Sequence, residues 1–535
     1  VREDGVVNLP DPSQAASGDA APNRTSPYLV GAGVLTGLAG LVTSQAAVWF
    51  LGANNGPIVA VASAVRDFTP GPLAHALIKG VGKQDTTLLR IGTFTLLMLI
   101  FAWIGSQARK RPWVPDIGYF LLAAFGLLCV LRLPDSNTGS TLGIVVGLIT
   151  WLVVDRLLTV PLADIVSSTP GNGRRAFLLR ATGIVALTGL VGISSFLPQR
   201  RRGQVNRERQ QLRLAASPGT PPNGSTLGVD GVSPWQTPLT AGAVNAGPDG
   251  DGFYQIATTL SSPVLAESDW KLRIHGMVDK EITINYQDLI ARQFTQDWIT
   301  LCCVSNPVGG NLIGNAYWSG VPVRELLAEA GIKPGADAVL QTSVDGWTCG
   351  TPIAAVTDQR SALLAVAMNG NPLPVEHGYP VRMVVPGLYG YVSATKWLVD
   401  IEVTRFDRFN AYWTQRGWSA EGPVKTQSRI DVPIQGAQTS AGALRIGGVA
   451  WAQHTGIKRV EYQLDGAAWQ SAELGTATPT DDTWVQWAGS VQVAAGNHTL
   501  VVRATDKSGY TQTSVVTDTI PNGASGWHQV DFSAG

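Results

Sequence analysis

The chain has 535 residues, 39 basic and 39 acidic side chains and a formal net charge of +0. That balance offers no global field for nucleic acid, and the length exceeds one ordinary domain. Mean hydropathy is +0.11, yet the long apolar runs all lie before about residue 198, so a membrane-embedded part is expected to precede a soluble one.

After an N-terminal tail (1–26), five stretches have the roughly 20 apolar residues a membrane span needs: 27–51, 86–108, 114–133, 140–163 and 176–197. Together they predict an all-α bundle over 27–198. The 56–82 region carries Pro57, Arg66, Asp67, Pro70 and Pro72, and reads as an interfacial or re-entrant segment. Arg109, Lys110 and Arg111 follow the second span, and Arg174 and Arg175 precede the fifth. Five crossings put both clusters on one side, which positive loops mark as cytoplasmic, so the rest of the chain is expected outside a plasma membrane. Arg200, Arg201 and Arg202 run against that rule. Gly173-Arg174-Arg175-Ala176-Phe177-Leu178-Leu179 resembles an internal twin-arginine export signal, a route for chains that carry their cofactor. The only histidine in the first 200 residues is His75, so no bis-histidine haem is expected in the bundle.

Residues 199–250 turn from Arg-rich to Pro-, Gly- and Ser-rich and read as a solvated helix followed by a linker. From 251 to 424 short strands and short helices alternate, which suggests α+β. Trp270–Val278 and Ile282–Ile284 read as strands, Val323–Ala330 as a helix ended by Gly331, and Arg382–Val385 as a strand. Trp298-Ile299-Thr300-Leu301 runs as a strand into Cys302-Cys303 and then into the polar Ser305-Asn306-Pro307-Val308-Gly309-Gly310. A cysteine there can project a thiolate into a pocket. From 425 to 535 alternating strands such as Leu444–Ala450, Val460–Leu464, Trp484–Val493 and His498–Ala504 predict a β-sandwich of immunoglobulin type. His454, His498 and His528 show no metal-ligand spacing there and read as surface or turn residues.

The run Thr300 to Asn306, then Tyr317-Trp318-Ser319-Gly320-Val321, resembles the molybdenum-ligand segment of the sulfite oxidase family. A second block is similar too: Met368 to Pro374, His377-Gly378-Tyr379-Pro380-Val381-Arg382, Val385-Pro386-Gly387 and Lys396-Trp397-Leu398. The layout resembles the membrane-bound molybdopterin-dependent oxidoreductases of actinobacteria. The resemblance covers about 250 to the C-terminus. It implies a molybdenum–pyranopterin cofactor with Cys303 as metal ligand, Asn306 orienting the pocket, and His377, Arg382 and Lys396 holding the pterin and its phosphate. Asp345 would add a pterin hydrogen bond, and the last domain would dimerise.

Departures from that family pattern bear on the substrate. Ile256 stands where the resemblance implies an arginine, Pro307-Val308 where it implies a pair of them, and Trp418 where it implies the active-site tyrosine. Lost cations disfavour a sulfite dianion. The expected reaction is oxygen-atom transfer on a neutral substrate, such as reduction of an S- or N-oxide, with Trp347, Tyr389, Tyr391 and Trp418 as candidate pocket walls. Electrons would be exchanged with a quinone, a cytochrome or another membrane carrier. The rival reading is a membrane-tethered binding or scaffold protein that keeps the fold without the chemistry. Cys302 and Cys349 are candidates for a disulfide beside the site.

Overall fold

The computed structural model describes residues 27–51, 53, 56–69, 85–133, 136–167, 172–195, 200–211, 227–239, 246–247, 250–475 and 480–535. The bundle comprises α1 (Pro27–Phe50), α2 (Pro57–Phe68), α3 (Asp85–Gln107), α4 (Val114–Leu131), α5 (Thr138–Ser167) and α6 (Asn172–Ser195). α1 sits centrally against α3, α5 and α6. Small residues permit the close approach: a Cβ on Gly33 would lie 2.2 Å from the Phe101 carbonyl, and one on Gly105 2.4 Å from that of Leu29. Phe101, Tyr119 and Trp151 pack as an aromatic core, while Leu96, Leu99 and Trp103 of α3 point outward. Outward apolar side chains suit lipid rather than water.

Four of these helices, α1, α3, α4 and α5, contain stretches long and apolar enough to cross a membrane. α6 was expected as a fifth span over 176–197; within it Phe177–Gly192 is an apolar helical stretch, and residues 196–197 lie outside the described residues. Ala108 and Phe177, neighbours of the two basic clusters, meet in one core with Leu29 and Leu158, so both clusters lie at the same end. In the 56–82 region α2 is a helix of only 12 residues, begun by Pro57; His75, Pro70 and Pro72 lie outside the described residues.

Within the stretch expected as a solvated helix and linker, the described segments 200–211 and 227–239 are docked. Helix α7 (Arg200–Gln211) buries Val205 against the catalytic half, and Arg209 donates to the Leu373 carbonyl. Arg202 contacts Glu376. Residues 227–239 form a strap. The Trp235 carbonyl accepts from Asn315 Nδ2 and Trp484 Nε1, both at 3.0 Å, and Ser233 N donates to Asp431 at 2.8 Å. Local composition gives no warning, because each partner lies 80 or more residues away.

The α+β region holds two sheets. β1 (Lys271–Gly276), β2 (Ile282–Asn285), β5 (Ala338–Ser343), β6 (Thr348–Pro352) and β10 (Leu398–Thr404) run in the order β2-β1-β10-β5-β6, with β10 parallel to β1. β3 (Thr295–Cys302), β4 (Ile313–Pro322), β7 (Leu363–Met368) and β8 (Asn371–Pro372) run β8-β7-β4-β3, and β9 (Arg382–Val384) adds to β7. β1 alternates exposed Lys271 and Arg273 with buried Leu272 and Ile274, whereas every residue of β7 is buried, as a central strand requires. Between them, α8 (Tyr286–Ile290) starts with a reciprocal cap between Asn285 and Asp288. α9 (Val323–Ala330) buries Leu326 and Leu327 and stops at Gly331, whose φ of +71° suits glycine.

The C-terminal region is strand-rich: a four-stranded and a five-stranded sheet share one core around Val460, Trp487, Leu500 and Phe532. Its histidines differ from one another. His454 and His498 pair with Asp482 and Asp465. His528, expected near the surface, is half-buried, and its Nδ1 accepts from Ile430 N at 2.9 Å. Burial pushes it down to about 4.

Candidate active site

β3 delivers Cys302 into the core and leaves Cys303 at its exit. The turn after it is closed by Asn306, whose backbone N donates to the Cys303 carbonyl at 3.1 Å and whose Oδ1 accepts from Leu312 N at 2.9 Å. Cys303 Sγ lies 3.0 Å from Ser305 Oγ. Burial pushes the Cys303 thiol up while the Ser305 contacts oppose it, so a thiolate here requires a cationic partner such as a metal. The described cysteines are all free, and the Cys302–Cys349 disulfide is not formed. Cys302 Sγ points at the Cys303 carbonyl, and Cys349 Sγ at Thr395 Oγ1 instead.

Three basic residues converge on one pocket. Arg382, 5% exposed, lies over the Trp318 ring at 5.0 Å and donates to the carbonyls of His377 and Ala394. Lys396 Nζ donates to the Glu376 carbonyl at 3.2 Å and sits 4.7 Å from the Trp397 ring centre. Among the described residues neither forms a salt bridge. Burial holds Arg382 down at about 10, and burial together with Arg382 brings Lys396 to about 7. His377, packed edge-on to Phe253, is held at about 3 by burial and by those two cations. Asp345 faces Lys396 from the turn between β5 and β6 and pulls it only partly back. In the same turn the buried Nε1 of Trp347 and Oγ of Ser343 lack partners among the described residues.

Sequence reasoning passed over Tyr254. It is buried and stacked on Phe253 with ring centres 5.3 Å apart. Burial and the neighbouring thiols of Cys303 and Cys302 push its hydroxyl well up, while Arg382 opposes them. Tyr254 thus links the cysteine turn to the cationic pocket, and in the sequence only its place two residues before Ile256 hinted at it. Trp418 lies elsewhere in emphasis: it packs in an aromatic corner with Tyr391 and Trp413, and Tyr391 donates to the Ser419 carbonyl. Tyr389 approaches the two thiols, and Gly390 N donates to the Cys302 carbonyl at 3.0 Å.

The donor set fits an anionic, metal-bearing cofactor: the half-buried Cys303 thiol, cations outside any salt bridge among the described residues for a phosphate, and polar groups in the flanking turn without partners among the described residues. Residues 259–413 match the family model described as the oxidoreductase molybdopterin binding domain. The chain is 33% identical over 173 residues to the uncharacterized oxidoreductase YuiH of Bacillus subtilis, covering 31% of this chain and 84% of that one. This protein belongs to the sulfite oxidase-type molybdopterin-dependent oxidoreductases. Chicken sulfite oxidase is 28% identical over 298 residues, 46% of this chain and 64% of its own length. Among solved structures, the sulfane dehydrogenase SoxCD of Paracoccus pantotrophus is similar at 23% identity and a TM-score of 0.44, covering 57% of this chain and 89% of that one. Family membership makes this chain an oxidoreductase with a molybdenum–pterin cofactor. The chain spans under two thirds of the sulfite oxidases it matches.

Proposed function

We propose that this oxidoreductase is anchored by its bundle in the plasma membrane, faces outward, and reduces a neutral S- or N-oxide. Division of charge carries the substrate reading. The three basic groups are drawn into the cofactor pocket, while Ile256, 47% exposed, and Pro307 and Val308 just after Cys303 stand where cations would otherwise be expected. Arg66 reaches the carbonyl of Thr258, but its pairing with Asp67 leaves no net charge to attract a dianion.

When bound, the molybdenum cofactor supplies a two-electron couple able to accept or release an oxygen atom. Cys303 would ligate the metal; His377, Arg382 and Lys396 would hold the pterin and phosphate; Asp345 and Asn306 would fix its edge. Tyr254 would hold the proton that meets the departing oxygen. Trp418 would shape the pocket through Tyr391. The outward orientation rests on the two basic clusters sharing the bundle end remote from the docked Thr258 segment. Export by the twin-arginine motif, an immunoglobulin-type dimerising C-terminal region and an electron carrier without haem in this chain complete the proposal.

Elemental mass spectrometry of the full chain from its own membranes, beside Cys303→Ala, tests the cofactor. Viologen-driven reduction of methionine sulfoxide and trimethylamine N-oxide, measured against sulfite oxidation, tests the substrate. Molybdenum in the parent with oxide reduction lost in the variant is expected. Sulfite turnover without oxide reduction would overturn the substrate, and folded protein lacking molybdenum and pterin would leave only the scaffold.

A further inference from the structure

A groove of about 560 Å³ opens on the bundle between the C-terminal turns of α2 and α4. That volume suits one small-molecule headgroup. Its walls are apolar and outward-facing: Val65 is 45% exposed, Phe68 69%, Phe125 50% and Leu128 52%. Arg132 closes one end, its guanidinium 5.1 Å from the Phe68 ring centre, and Thr69 adds a hydroxyl. The same turn of α2 touches the catalytic half. Arg66, two residues before Phe68, donates to the carbonyl of Thr258, which lies four residues from Tyr254. One helical turn therefore has a lipid-side groove and a contact to the segment entering the active site.

The geometry points to a membrane quinone as the occupant, its ring between Phe68 and Phe125 and a ring carbonyl at Arg132. This rests on the oxidoreductase reading above and names the electron partner of that site. An acyl chain would use the apolar walls alone, whereas a quinone also uses flat aromatic faces and a donor at the groove's end. The stoichiometry matches. A quinol loses the hydrogens of two O–H bonds and becomes the quinone, and two electrons pass to the catalytic site. The S–O or N–O bond of the oxide then breaks, and its oxygen leaves as water with the two protons.

The test uses the full chain in nanodiscs of phosphatidylcholine and phosphatidylglycerol, irradiated with an azidobenzoquinone. Label is expected in peptides 57–69 and 114–132 and is displaced by decyl-ubiquinone. In Leu128→Trp, which fills the groove from an exposed position, and in Arg132→Leu, label and decyl-ubiquinol-driven oxide reduction should both fall about tenfold, the equivalent of one lost contact. Viologen-driven reduction should stay within about twofold of the parent, since both side chains line the groove on the bundle. Label indifferent to both substitutions, or displaced by added phosphatidylglycerol, would overturn the quinone site. A parent silent with viologen would overturn the enzyme reading, while the labelling pattern would still decide the groove.

Discussion

Lys396→Met should change stability in opposite directions depending on pH and on whether the cofactor is present. In the cofactor-free protein Lys396 is half-buried, and desolvation together with Arg382 lowers it from its ordinary 10.5 to about 7. Between those values the unfolded chain holds a proton that the folded chain does not, so stability rises with pH across that window and the full penalty applies below about 7. At about 1.4 kcal/mol per pH unit the penalty is roughly 5 kcal/mol. Methionine also forfeits the bond to the Glu376 carbonyl and the contact over Trp397, together about 2 kcal/mol. The variant should therefore be about 3 kcal/mol more stable than the parent at pH 6, or several degrees in midpoint. By pH 10 the penalty falls to about 1 kcal/mol and the order reverses. Thermal unfolding followed by tryptophan fluorescence, on full-length protein from cells unable to make the pterin, reads both signs. With the cofactor bound, the variant loses a charge-assisted contact of about 2 kcal/mol, weakening retention roughly thirtyfold. A cofactor-free variant destabilised equally at pH 6 and pH 10 would refute the premise that the Lys396 charge is held at a net cost in the folded chain.

Tyr254→Phe should keep its cofactor, checked by molybdenum content, yet lose about a hundredfold in kcat because the hydroxyl between Cys303 and Arg382 is gone. Arg429→Met strands Asp431, its buried partner at 2.6 Å, and should cost about 3–5 kcal/mol in urea unfolding; adding Asp431→Leu should recover much of it. Gly309→Ala should cost about 2 kcal/mol or more in the same assay, since φ is +74° and the new Cβ would meet the His528 ring at 2.2 Å.

Local pattern revealed what local physics controls. Alternation exposed β1, the apolar stripe and Gly331 exposed α9, and strand-to-loop grammar placed Cys303 at the exit of β3. The convergence of His377, Arg382 and Lys396 came from the family motif, because no spacing rule brings a turn, a strand and a loop to one point. Tyr254 went unnoticed since an isolated tyrosine looks like core until its neighbours are known. Helix α7 misled because Val205 is its one strongly apolar residue, too thin a signal against five arginines. The cysteines misled for a related reason: oxidising surroundings permit a disulfide, but Cys302 and Cys349 are held by a carbonyl and a hydroxyl facing different ways.

The strap at 227–239 has a consequence for the order in which the protein can be made. Ser233 reaches its partner Asp431 across 198 residues, and Trp235 reaches Trp484 across 249. A ribosome therefore releases the start of the soluble half long before the groups that fasten it exist. Until the last hundred residues emerge, the strap has no seat, and β3, which bonds to Asp482 and Trp484, lacks a neighbour. The catalytic half cannot be finished ahead of the tail that follows it, so a chain cut short near residue 424 would be an unclosed enzyme rather than a smaller one.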